Sequence, residues 1–215
     1  MKENSLFSKT FLWMAIGLAV TFATGYIVSC NPKMLYSVFS SFGYWLFVII
    51  ELVLVVFLSS KVMTMKPTTA RISFLLYSFV SGLTFSSIFV YYSIKSIMFI
   101  FLISAGVFAL MALVGYKTKL DLSKISSYLY MGLFAVVITI LINLFIGSDT
   151  LSMVLSVICV GLFIGITAYD VQKIKNLEDS DLPEDNLAIY GALDLYLDFI
   201  NLFIHILSIF GNNDN

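Results

Sequence analysis

Four acidic side chains, Glu51, Asp170, Asp194 and Asp198, lie within or at the ends of apolar runs long enough to cross a membrane. Charge at that depth is costly, so an acid kept there points to an ion pathway, a proton relay or a charged partner. The densest group is in the last run, residues 187–210, where Asp194, Asp198, Asn201 and His205 follow one another at i, i+4, i+7 and i+11. At about 100° per residue these four fall within roughly 60° of one another, a polar stripe down one helix face. Such a stripe must face a bundle interior, a water-filled cavity or a partner carboxylate. Asp170, at the end of the run before it, is the candidate partner for Asp198. Two close carboxylates in a low-dielectric site cannot both ionise easily, so the pair is expected to share a proton. For Asp170 alone, capping its span at the interface is an equally good reading.

The rest of the chain must hold those acids in place, and its composition says what kind of scaffold does so. Of its 215 residues 60% are hydrophobic and only 12% charged, with a mean hydropathy of +1.00. A soluble domain carries about 25% charged residues, so this is a polytopic membrane protein, all-α and a single transmembrane domain over 1–215. The net charge of −1 gives no basic patch for nucleic acid. Cys30 and Cys159 read as unpaired small apolar residues. Lys2 and Lys9 precede an apolar run, and Ile27-Val28-Ser29-Cys30 has the look of a lipoprotein processing site. That run is span-length, however, and is expected to stay as an anchor.

A span needs roughly 20 mainly apolar residues, and seven segments qualify: about 9–30, 39–60, 70–92, 97–116, 126–146, 151–170 and 187–210. With seven spans, Lys2, Lys9, Lys61, Lys66, Arg71, Lys117, Lys119, Lys124, Lys173 and Lys175 share one side, and only Lys33 and Lys95 take the other. The positive-inside rule then puts the N-terminus in the cytoplasm and the C-terminus outside, in a multi-pass protein of the cell membrane. No internal repeat supports an inverted-repeat transporter. Small residues, Gly17 and Gly25, Ser78 with Ser81 and Gly82, and Gly161 with Gly165, are expected to serve close helix packing.

Several polar residues keep two readings. Glu51, mid-span, is a cation-pathway carboxylate or an acid hydrogen-bonded to a neighbouring helix. His205 is a hydrogen-bonded packing residue rather than a metal ligand, since no second His or Cys accompanies it. The loop acids Glu178, Asp179, Asp181, Glu184 and Asp185 lack the glycine and ligand spacing of an EF-hand and read as a solvated acidic loop or a cation-concentrating mouth.

Tyr169-Asp170 with Gln172-Lys173-Ile174-Lys175, followed by Leu195-Tyr196-Leu197-Asp198-Phe199-Ile200-Asn201-Leu202-Phe203, resembles the signature of the Bax inhibitor-1 family, the transmembrane Bax-inhibitor-motif proteins with bacterial members. The resemblance extends over the chain through the acid in span two and Ser81-Gly82-Leu83-Thr84 in span three. It implies a seven-helix bundle with a central C-terminal helix, acting as a pH-sensitive calcium leak. Calcium is then the transported substrate, protons the regulator, the bilayer the partner, and no cofactor is needed. It also implies that Asp170 and Asp198 are the pH-sensing dyad. Bacterial relatives use a basic residue near the cytoplasmic end of span two as a latch on the span-six aspartate. Here the nearest match is Lys61, a point charge rather than a bidentate fork. Asp194 is an extra acid one turn before Asp198. With Glu51 and Asn201 it completes the cation-pathway candidates.

The same titrating pair would serve a calcium/proton exchanger. An intramembrane aspartyl protease would carry Gly-x-Gly-Asp at its second acid, where this chain has Gly191-Ala192-Leu193-Asp194 and Leu195-Tyr196-Leu197-Asp198, so no catalytic role is expected.

Overall fold

The computed structural model describes residues 3–178 and 182–212, so Lys2, Asp179 and Asp181 lie outside the described residues. The described chain is helical: α1 (Glu3–Ser29), α2 (Pro32–Phe39), α3 (Ser41–Lys61), α4 (Pro67–Phe85), α5 (Ile88–Tyr91), α6 (Ile94–Lys117), α7 (Ser123–Ile146), α8 (Asp149–Leu177) and α9 (Glu184–Phe210). Six of the segments among the described residues, α1, α4 with α5, α6, α7, α8 and α9, are long and apolar enough to cross a membrane. The 21-residue α3 occupies the second span read from the sequence. The fold is therefore that of an all-α polytopic membrane protein. Among these six segments α9 is the most enclosed: 56% of its apolar window is buried against 11% for α7.

The helices depart from the expected spans where local polar chemistry intervenes. Between the first two expected spans, Asn31 and Pro32 start an additional helix: the Asn31 side chain accepts from the Lys33 and Met34 amides, and Pro32 takes the first turn. Span three is broken between α4 and α5. There the Ser86 and Ser87 hydroxyls donate to backbone carbonyls three residues back, competing with the helix ladder. α8 runs seven residues beyond Asp170, so that carboxylate lies inside a helix rather than at its end. α9 begins at Glu184, which puts Glu184 and Asp185 in its first turn, where their charge suits the helix dipole.

The described residues group into two compact units, 3–93 with 177–196 and 94–176 with 197–212, so α9 contributes to both. In the first, α1 and α4 meet through small residues. A Cβ on Gly17 would lie 2.6 Å from the Phe74 ring, and one on Gly82 would lie 2.6 Å from Thr24. Thr21 donates its only hydroxyl proton to the Ser78 carbonyl at 2.9 Å, so Tyr196 must be the donor in its 2.7 Å bond to Thr21. The Tyr196 ring is fully buried and meets Phe74 and Tyr77 edge-on, with centroids 5.9 and 5.7 Å away.

In the second unit Phe101 and Phe108 of α6 pack edge-to-face on Phe199 of α9, with centroids at 5.2 and 5.7 Å. Gly115 lets α6 rest directly on the Ala168 carbonyl of α8. Gly165 faces Leu129, whereas a Cβ on Gly161 would meet nothing within 4 Å. The Gly161/Gly165 pair therefore does not make the expected close helix contact at both glycines within this chain.

Candidate site around Asp170 and Asp198

Asp170 is 3% exposed, and the second unit surrounds it with compensating groups. Lys173, one turn further along α8, places Nζ 2.8 Å from Asp170 Oδ1. Tyr130 of α7 donates a longer bond, 3.3 Å, to the same oxygen. The Tyr169 ring completes the pocket, with Lys173 Nζ 5.7 Å from its centroid and Tyr130 meeting it edge-on at 6.1 Å. A desolvated carboxylate thus has an ammonium, a phenol and an aromatic wall around it.

The neighbouring signature residues hold that stretch of α8 in place. Gln172 donates to the Leu120 carbonyl at 2.8 Å and accepts from the Leu122 amide at 2.8 Å, clasping the α6–α7 loop. Lys175 donates to the Tyr116 carbonyl at 2.9 Å at the end of α6 and lies 4.6 Å from the Tyr116 ring centroid. In that loop, hydrogen bonds from the Ser123 hydroxyl and amide hold the Asp121 carboxyl below the usual range.

Asp198 is also 3% exposed and belongs to the same unit. Its level follows from the packing of α8 on α9. Ser156 bonds Ser208 at 3.3 Å, and the His205 ring stacks on Phe163 with centroids 6.5 Å apart, so the helices run antiparallel. Seven residues make about two turns, roughly 10 Å of rise, and return to nearly the same face. Asp170 lies seven residues on from Phe163, and Asp198 seven back from His205. Extended from the Phe163–His205 contact, that register runs the stretch of α8 around Asp170 alongside the stretch of α9 that carries Asp194 and Asp198.

The remaining sequence candidates separate into three settings. Glu51 of α3, in the first unit, accepts hydrogen bonds from Ser81 and from Thr84, the latter at 2.9 Å. Both donors are neutral hydroxyls one turn apart on α4. Asn201 turns back on its own helix and donates to the Leu197 carbonyl at 2.7 Å, while Asp194 is half-buried. His205 Nδ1 lies 3.4 Å from Ser156 Oγ and opens on a cleft of about 420 Å³ that Asn143, Asp149, Ser152 and Ser208 also line. Asn143 braces that cleft by spanning the α7–α8 turn: it donates to Ser148 and Ser152 and accepts from the Ser148 amide, around a left-handed Gly147. Lys61 ends α3 as an exposed side chain of the first unit. Among the described residues no three His, Cys, Asp or Glu side chains converge as a metal centre.

The acids at the start of α9 are ion-paired within the first unit. Lys9 reaches Glu184 at 3.0 Å and Asp185 at 3.6 Å, and Arg71 reaches Asp185 at 2.7 Å. Asn186 donates to the carbonyls of Val62 and Met65, fastening the beginning of α9 to the end of α3.

Residues 3–215 match the family described as inhibitor of apoptosis-promoting Bax1. The chain belongs to the Bax inhibitor-1 family. An inner membrane protein of Escherichia coli strain K12, YbhL, is 38% identical over 211 residues, covering 95% of this chain and 90% of its own. A protein of Borreliella burgdorferi is 39% identical over 99% of this chain and 94% of its own, and a membrane protein of Streptococcus pyogenes serotype M1 is 39% identical over 98% and 94%. In this Bax inhibitor-1 member, the signature around Asp170 has a structural account for nearly every polar position. Sequence reasoning had no signal for Tyr130, 40 residues from Asp170. Lys173 was readable as an i, i+3 partner of Asp170. So were Ser81 and Thr84, spaced to reach one acid together.

Proposed function

We propose that this protein is a calcium leak of the cytoplasmic membrane, regulated by protonation of Asp170 and Asp198. What supports the reading is that α8 and α9 each carry a buried carboxylate, Asp170 and Asp198, with the Lys173 ammonium 2.8 Å from Asp170. Two buried carboxylates that approach each other repel when both are charged, and that repulsion is relieved by a cation, by a proton, or by movement of α8 against α9. Calcium and protons therefore compete for the same pair of acids.

Lys173 supplies the nearer compensating charge, and Lys61 remains the latch that the family resemblance implies. Glu51, Asp194 and Asn201 are the further oxygen-bearing groups on the cation pathway. The basic asymmetry supports a cytoplasmic N-terminus and an external C-terminus. The E. coli relative is named as an inner membrane protein, which supports the same membrane here.

Calcium flux into liposomes holding the purified protein tests the reading. It is measured over a pH series, with and without a proton gradient. A leak gives flux that follows pH but needs no proton gradient. Uphill calcium movement driven by the gradient instead assigns the pair to exchange, and flux indifferent to pH removes the dyad from regulation.

A further inference from the structure

Independently of the dyad, we propose that the end of the first unit around α2 is a binding site for an anionic phospholipid, with one acyl chain in a cleft and the headgroup phosphate on Lys33. The cleft measures about 460 Å³, within the range of small-ligand sites, and lies between α1, α2 and α4. Val28, Met34, Val38, Phe79 and Leu83 form its apolar walls, and Lys33 lines it as an exposed side chain. Val28 and Val38 are buried, while Met34 and Phe79 are 49% and 47% exposed, so the cleft is open along one side.

Its position selects the occupant. α1 ends at Ser29 and α2 begins at Pro32, so the cleft starts at the end of a span and runs inward along it. Tyr26, Tyr36 and Trp45 are all exposed within about two turns of the ends of α1, α2 and α3, as aromatic residues at a membrane–water boundary are. α2 is a short amphipathic helix whose one buried side chain is Val38. An open apolar cleft at that depth meets acyl chains, not water.

Charge then selects the headgroup. Residues 4–50 and 67–92 contain no Asp or Glu. Among the described residues Lys33 takes part in no ion pair. A lysine at the boundary that forms no ion pair among the described residues complements a lipid phosphate, and a net negative headgroup more than a zwitterionic one.

Native mass spectrometry of the full chain in mild detergent tests the proposal, with phosphatidylglycerol or phosphatidylcholine of matched acyl chains. The parent retains one phosphatidylglycerol about fivefold more than phosphatidylcholine. Lys33→Gln abolishes that preference, Met34→Trp fills the cleft and lowers retention of both lipids, and Lys95→Gln changes neither. Equal retention of the two lipids by the parent overturns the proposal, as does a preference that survives Lys33→Gln or undiminished retention in Met34→Trp. A dimer mass abolished by Met34→Trp gives the cleft to a second copy of the chain and also overturns it. Lys33 is exposed, so its variant decides the matter even where Met34→Trp fails to fold.

Discussion

Two carboxylates in this protein show two ways of keeping an acid inside an apolar scaffold. Glu51, in the first unit, receives hydrogen bonds from Ser81 and Thr84, which are neutral. Asp170, in the second, receives an ammonium from its own helix and a phenol from α7. Hydroxyls can donate to a carboxylate or accept from a carboxylic acid, so the Glu51 setting accommodates either protonation state. A lysine has no acceptor and matches only the ionised form.

The largest stability effect expected from that contrast is at Lys173. Lys173→Met leaves a nearly buried carboxylate without its cation and should cost about 2–3 kcal/mol, below the range for a fully buried pair because Lys173 keeps 23% of its side chain exposed. Thermal melting in detergent should show the loss at neutral pH and its partial recovery in acid, where Asp170 can protonate. The double variant Asp170→Asn with Lys173→Met should melt closer to the parent than Lys173→Met alone.

Next is the close approach of α6 to α8. Gly115→Ala forces a methyl into the Ala168 carbonyl beside Asp170 and should cost about 1–3 kcal/mol. Gly161→Ala enters open space and should be neutral or gain up to about 1 kcal/mol from helix propensity. Equal melting of the two variants would mean that the α6–α8 contact is not the tight one.

Replacing each acid by its amide sharpens the comparison further. Glu51→Gln keeps an acceptor for one hydroxyl and offers an amide N–H to the other, so it should cost less than about 1 kcal/mol, whereas Asp170→Asn deprives Lys173 of its counter-charge and should cost roughly 1–2 kcal/mol. The reverse order in melting would refute the assignment of neutral and ionic settings. The smallest effect is at fully exposed Asp121, where Ser123 lowers the carboxyl pKa. That contribution is present above the ordinary carboxylate pKa and fades as pH falls through the lowered one, so Asp121→Ala should shift melting only slightly at neutral pH and not at all in strong acid.

The acids, the long apolar runs and the signature were legible in the sequence because each is a local pattern with a known depth cost or period. Partners far apart in the chain were not. Lys9 and Arg71 neutralise Glu184 and Asp185 across more than 100 residues, so acids that read as a solvated loop are ion-paired at the start of a helix. The α4–α5 break depended on hydroxyls bonding back to carbonyls, which hydropathy does not register. α2 was readable in principle, since Asn31 followed by Pro32 is a helix start, yet its eight residues were too short to count beside a span. The register of α8 on α9 was not legible either, since it is read from Phe163 and His205 rather than from either acid.

The most direct test is calcium flux through purified protein in liposomes across pH for the parent, Asp170→Asn, Asp198→Asn and Lys61→Ala. Both amide variants should flatten the pH dependence, since neither side chain can then change charge, while Lys61→Ala should raise basal flux and keep the dependence. If both amide variants reproduce the parent's profile, the buried aspartates are structural and the regulatory account fails.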